Sequence, residues 1–337
     1  MPHRSDNQPT VRIQGTLRPY LERRRIRDSV YYLLRPIGSS LRNRYLAFAP
    51  SAGPGGSNVQ FQDWDDEPGA SQFLAVLQRL KDDGFPRVLN YQRTSEGFVC
   101  VLSWIEGICL TDYLANISNG LRPPMDAVEA IRLTHSLSCS LVRLSRRVGV
   151  IHGDIQPANL VLTQNPARLI PIDFGNSWDI QRANDRENGD GRSMIYAAPE
   201  QWDQCMRVDS RADMFSVAVI LFQLLTEQIP YEGLGGKAGW PQYRPFMTDR
   251  LERPSDLAQS CQCLPRSLRK QLNEFVIRGL QFNPGQRFRD LRHWIHEYRL
   301  LLDAFRAAPT LPISIRMLTQ VIDWLAGRFS ADRSCSR

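Results

Sequence analysis

Residues 150–175 read VIHGDIQPANLVLTQNPARLIPIDFG, and the fold is decided by how that stretch is parsed. Asp154 is followed five residues later by Asn159, and Asp173-Phe174-Gly175 begins fourteen residues after that. Two short apolar runs between them, LVL and LIPI, read as strands. The spacing carries one carboxylate, one amide oxygen and a second carboxylate to the ends of neighbouring strands. Oxygen donors of this kind suit a hard divalent cation, and one carboxylate remains to accept a proton from a hydroxyl.

Helical periods dominate on both sides of this stretch from Gly107 onward. They run through AVEAIRLTHSLSCSLVRLSRR, SVAVILFQLLTEQ, LRKQLNEFVIRGL and RHWIHEYRLLLDAF. Upstream the pattern is strand-like: YYLLRPIG, RYLAFAP, the turn-rich SAGPGGSN, the alternating Val59-Gln60-Phe61 and the buried-looking FVCVLSW. One helix interrupts these strands, with Phe73, Val76, Leu77 and Leu80 at helical spacing. The expected architecture is therefore α+β and bilobal. A small β-rich lobe with one helix spans residues 29–104, and a larger, mainly helical lobe spans 105–305. Residues 1–28, arginine-rich and polar, read as a basic arm, either extended or a short helix. Residues 306–337 read as an amphipathic helical tail with Leu311, Ile315, Leu318, Ile322 and Leu325 on one face, packed on the large lobe or on a partner.

These segments resemble the protein kinase superfamily, serine/threonine kinases in particular. His152-Gly153-Asp154 with Asn159 resembles the catalytic loop, and Asp173-Phe174-Gly175 the metal-binding motif. The resemblance implies that Asp154 is the base orienting the attacking hydroxyl, that Asn159 and Asp173 hold Mg2+ under the phosphates of ATP, and that His152 is structural. Tyr196-Ala197-Ala198-Pro199-Glu200 resembles the end of an activation segment. The helix beginning SRADMFS resembles the family's central helix, with Asp213 tied back to the catalytic loop, and Arg287 of NPGQRF would pair with Glu200. Leu102 and Trp104, at the end of FVCVLSW, fall to the nucleotide site by the same resemblance. Aminoglycoside and choline phosphotransferases also carry an HGD triplet, but they lack the Ala198-Pro199-Glu200 segment and the Asp213 helix.

The pattern breaks where the family grips triphosphate. In IGSSLRNRY (37–45) only Gly38 survives of three glycines, with Ser40 and Asn43 at the other two positions, so backbone amides close less easily on phosphate. Aligning Val59-Gln60-Phe61-Gln62 with the family's V-A-I-K places Gln62 where the lysine belongs, and no lysine precedes Lys81. Phe73 stands in place of the helix glutamate, and Gln156 in place of the lysine that touches the γ-phosphate. Each lost cation removes about 2–4 kcal/mol of transition-state stabilisation. Two together slow turnover by about 10³–10⁶-fold. Arg42 and Arg44 flank Asn43, the position from which with-no-lysine kinases supply a displaced lysine. Arginine, always charged, could hold nucleotide from there.

Composition bounds the rest. The 337 residues carry a net charge of +7, and only Lys81, Lys237 and Lys270 among the 42 basic residues are lysine. No apolar run is long enough to span a membrane. Seven scattered cysteines suggest a reducing cytoplasm, and the Cys261-x-Cys263 pair has no second pair to make a zinc site. The Arg23–Arg25 and Arg27 cluster reads as a solvated arm or a site for an acidic protein partner, rather than for nucleic acid or anionic lipid. The acidic run Asp63, Asp65, Asp66, Glu67 reads as a solvated loop. Gly153 removes the arginine that reads activation-loop phosphorylation in many kinases, and Ser177 and Ser193 are the only serines or threonines between 176 and 197. Two expectations follow: a pseudokinase that binds or scaffolds a protein partner, with or without ATP and Mg2+, or an atypical, slow or partner-activated serine/threonine kinase.

Overall fold

The computed structural model describes residues 8–37, 43–65, 68–80, 83–93, 97–179, 193–203, 206–262 and 264–308. The chain divides into two units between Glu106 and Gly107.

The smaller unit contains β1 (Thr10–Ile13), β2 (Thr16–Pro19), β3 (Glu22–Ile26), β4 (Ser29–Pro36), β5 (Arg44–Ala49), β6 (Ser57–Asp65), α1 (Pro68–Arg79), β7 (Val88–Arg93) and β8 (Gly97–Ser103). Six strands form one sheet in the order β3-β4-β5-β6-β8-β7, each pair antiparallel. Strand alternation sorts β6 into two faces. Val59 and Phe61 join a core with Ile26, Tyr31, Leu33, Ala47, Ala49 and Val101. Gln60, Gln62 and Trp64 lie on the opposite face and are buried as well. The helical stripe predicted around Phe73, Val76 and Leu77 is the buried face of α1, and the Phe73 ring sits 4.9 Å from that of Trp64.

Of the two alternatives for the basic arm, residues 8–28 take the extended one, as β-strands paired into sheets rather than a short helix. β1 and β2 form a hairpin across Gln14-Gly15, both at positive φ (48° and 84°), as a two-residue turn that follows strand twist demands. β3 then pairs with β4 from Glu22↔Leu33 to Ile26↔Ser29 as the edge of the main sheet. An edge strand keeps its order through the backbone ladder, so Arg23, Arg24 and Arg25 stay in water and only Ile26 is buried. No alternating apolar pattern was present to reveal it. Contrary to the sequence expectation, Asp63 and Asp65 are not loop residues but the end of β6, and Asp63 faces Arg24 at 3.5 Å.

The larger unit contains β9 (Ile108–Cys109), α2 (Leu110–Ser118), α3 (Ala127–Val148), β10 (Val150–Ile151), β11 (Leu160–Gln164), β12 (Ala167–Pro171), β13 (Trp178–Asp179), α4 (Arg211–Thr226), α5 (Arg244–Met247), α6 (Pro254–Leu257), α7 (Arg266–Gly279) and α8 (Leu291–Ala307). The predicted LVL and LIPI strands are β11 and β12, paired antiparallel from Leu160↔Pro171 to Gln164↔Ala167. α3 starts on an Asp126 side chain that accepts the Val128 amide at 2.8 Å. α4 is buried on nearly all sides, so its apolar residues follow no single stripe. The proposed tail helix and its Leu311–Leu325 face lie outside the described residues. Among the described residues, no helix is long and apolar enough to cross a membrane.

One charge pair sits wholly inside this unit. Arg287 forks onto Glu200 (2.6 and 2.8 Å) and gives its remaining N–H groups to the carbonyls of Gln281, Phe282 and Arg211. Its guanidinium also lies 4.8 Å from the Phe215 ring centroid. Every donor is satisfied, which is the condition under which a buried ion pair is tolerated. Arg287→Leu is therefore expected to cost about 3–5 kcal/mol in urea unfolding, because it strands the Glu200 carboxylate in the interior.

Candidate functional site

β10 delivers the chain into a loop whose shape is imposed from outside. The amides of His152 and Gly153 both donate to Asp213, in the first turn of α4, at 2.8 and 2.9 Å. The Gly153 carbonyl accepts Gln201 Nε2 at 2.7 Å, and Gln201 Oε1 accepts the Ala198 amide at 2.8 Å. Gly153 takes φ +76°, a left-handed conformation that glycine adopts without a Cβ penalty. Burial raises the Asp213 carboxyl to about 6, even though both amides favour its charged form. The His152 ring is fully buried and held neutral, pulled down to about 4 by desolvation. Its Nε2 meets the Ile172 carbonyl at 3.2 Å, and its ring lies 4.8 Å from that of Phe174.

Asp154 is 6% exposed. Gln156 Nε2 donates to its Oδ1 at 2.9 Å, while Asn159 and Asn176 donate to its Oδ2 at 2.8 and 3.2 Å. Burial, and then the charge of Asp173, raises the Asp154 carboxyl above its ordinary value; the hydrogen bonds pull the other way. Asn159 spends its Nδ2 on Asp154 twice, on the carboxylate and on the backbone carbonyl at 3.0 Å. Its amide oxygen is the atom left for a cation. Asp173 sits at φ +63°, a conformation aspartate tolerates, and its Oδ1 accepts the Gly175 amide at 3.3 Å. Asn159 and Asp173 are hard oxygen donors and fit Mg2+, which takes one or two protein ligands and completes its shell with phosphate oxygens and water. A larger preformed cage is absent: among the described residues, no three His, Cys, Asp or Glu side chains cluster as metal ligands.

In the smaller unit, Gln62 is 1% exposed, and its Nε2 has no hydrogen-bond partner among the described residues. An orphaned buried amide costs about 1–3 kcal/mol. Gln62 is in register with Arg44 on β5 and Cys100 on β8, so the half-buried Arg44 shares its face of the sheet. Leu102 is buried opposite Gln60, and Trp104 is half-buried just beyond β8. Gly38, Ser40 and Arg42 lie outside the described residues. Sequence reasoning missed Asn176 and Gln201, each adjacent to a recognised motif but marked by no spacing of its own.

Residues 66–298 match the family model described as Protein kinase domain. The chain is 26% identical over 231 residues to mitogen-activated protein kinase kinase kinase 7 of Homo sapiens, covering 65% of this chain and 37% of that protein. It is 26% identical over 250 residues to serine/threonine-protein kinase ULK1 of Homo sapiens, covering 71% of this chain and 22% of that one. An inactive leucine-rich repeat receptor-like serine/threonine-protein kinase of Arabidopsis thaliana matches at 26% over 191 residues, covering 50% of this chain and 29% of that protein. The chain thus spans well under half the length of these relatives. The kinase PK-1 of the Cydia pomonella granulovirus superposes with a TM-score of 0.63 at 16% identity, covering 79% of this chain and 93% of that one, a likeness of fold.

The two buried groups that shape the loop titrate in opposite senses. His152, depressed to about 4, contributes stability that is present above its unfolded value of 6.5 and lost as pH falls through 4. Asp213, raised to about 6, contributes stability that is present below 3.8 and lost as pH rises through 6. Relative to wild type, His152→Phe is expected to gain about 2 kcal/mol when urea unfolding is moved from about pH 7.5 to about pH 5, since only the wild type loses the histidine contribution. A constant difference between the two proteins would show that His152 is not held neutral.

Proposed function

The chain belongs to the protein kinase domain family, and from that premise we propose that it is a kinase-shaped binding protein, holding a metal–nucleotide complex weakly and scaffolding a protein partner, with phosphoryl transfer near background. The observation that carries this is Gln62: buried, neutral and with an unpartnered amide at the position where the family places its triphosphate-gripping lysine. A second observation supports it. Gln156 donates to the Asp154 carboxylate instead of offering a cation to phosphate, so two phosphate-facing charges are missing and an incoming hydroxyl must compete with bonds already made. Asn159 and Asp173 are the residues that would hold Mg2+, whose chemistry when bound is to neutralise charge between phosphates. One relative is itself described as inactive.

A second reading has its own support. Arg44 lies directly across from Gln62 on the same face of the sheet and carries a permanent charge that grips phosphate bidentately. With Arg44 in the lysine's stead and Asp154 as base, the domain would be a slow serine/threonine protein kinase.

A thermal-shift titration separates these cases. Millimolar ATP with Mg2+ is expected to raise the melting temperature of the wild type modestly and to leave Asp173→Ala unchanged. No shift for the wild type would remove both nucleotide readings. Phosphate transfer to a generic acceptor protein is expected at the same background level in wild type and Asp154→Ala. Transfer abolished by Asp154→Ala, and also by Arg44→Ala, would instead establish the slow kinase.

A further inference from the structure

Between α6 and the first turns of α7 lies a cavity of about 470 Å³ whose walls carry Arg253, Arg266, Arg269 and Lys270 against Asp256 and Glu274. The carboxylates do little to neutralise it. Asp256 accepts the Ser255 hydroxyl at 3.2 Å, and Glu274 meets Lys270 only at 3.7 Å, where both side chains are largely exposed. Arg253, Arg266 and Arg269 are paired with no carboxylate among the described residues. Arg269 goes further: its Nε is buried and has no acceptor. The floor, by contrast, is rigid, because Asn273 bonds both the amide and the hydroxyl of Ser255 at 3.0 and 2.8 Å.

The placement of these cations runs against helix electrostatics. Arg266, Arg269 and Lys270 crowd the positive end of α7, whose first turn holds no acidic residue and whose cap, Pro265, offers no side-chain acceptor. Gathered cations and a helix start without a cap both lack the same thing, which is an anion. Guanidinium forks match phosphate oxygens better than a single carboxylate. Among the described lining residues there is no aromatic ring on which a nucleotide base could stack.

We propose that this cavity docks a phosphorylated side chain within an acidic segment of a protein partner. It shares no residue with the Asp154 set, and its role holds whether or not the domain transfers phosphate.

Fluorescence anisotropy with a labelled acidic peptide carrying one phosphoserine, beside the same peptide with serine, tests this on the full chain. The wild type is expected to bind the phosphopeptide at least about tenfold more tightly than the serine peptide, with affinity falling as salt rises. The triple substitution Arg266→Gln, Arg269→Gln, Lys270→Gln is expected to abolish that preference. Arg266→Glu, at an exposed position, supplies a readout that a purely structural role would not give: binding is lost while the melting temperature rises, since a carboxylate suits the helix start. Equal phosphopeptide binding by wild type and the triple variant overturns the proposal. So does competition by inorganic pyrophosphate at concentrations matching the peptide's own dissociation constant, which would mark a site for a free anion.

Discussion

Two backbone amides end on one buried carboxylate, and the form of the candidate site depends on it. Asp213, anchored in a helix sealed on nearly all sides, receives the N–H groups of His152 and Gly153. The loop cannot drift while those bonds hold, because breaking them would leave a carboxylate without donors in the interior. Gln201 closes the loop from the other side through the Gly153 carbonyl, so the helix and the segment ending in Glu200 locate Asp154 together. The Arg287–Glu200 pair then fixes that segment to the loop before α8. Position at the site is thus relayed through Asp213, Gln201, Glu200 and Arg287, whose bonds to one another and to the backbone are made.

The smaller unit holds a different kind of group. The Asp154 carboxylate is answered by amides placed for it, whereas Gln62 is enclosed with a donor left over; among the described residues the Nδ1 of His152, in the larger unit, also lacks a partner. A charged ammonium in so buried a place would need a counter-ion, and α1 packs an aromatic ring, Phe73, on Trp64. By the resemblance to protein kinases, Gln62 and Phe73 stand where a lysine and its partner glutamate are expected, and on its own face of the sheet Gln62 is flanked by Gln60 and Trp64 and lies across from Arg44.

Much of the architecture was legible because it rests on local patterns. The amphipathic period of α3, the short apolar runs of β11 and β12, and the spacing of Asp154, Asn159 and Asp173 are visible from residue types, while Glu200, Asp213 and Arg287 followed from the resemblance to protein kinases. Where surfaces are polar on both sides, the patterns fell silent. β3 is an edge strand of arginines and carries no alternation, and the β1–β2 hairpin is announced only by a Gln-Gly turn. Asn176 and Gln201 were missed because an amide beside a motif looks like any surface residue until its partner is known.

The sequence alone determined which chemistries are available: three lysines with none in the first eighty residues, a carboxylate–amide–carboxylate series at strand ends, and an excess of arginine. Counts and spacing suffice for that, because a functional group that is missing cannot be supplied by folding. Only the tertiary structure decided which of those groups are free. It turned both amide hydrogens of Asn159 toward Asp154 and released its oxygen, and gathered Arg266, Arg269 and Lys270 at the start of α7, where only Lys270 meets a carboxylate, Glu274 at 3.7 Å, among the described residues. Hydrogen-bond geometry and the proximity of charges distant in sequence belong to the packed chain, since each depends on where several elements come to rest at once.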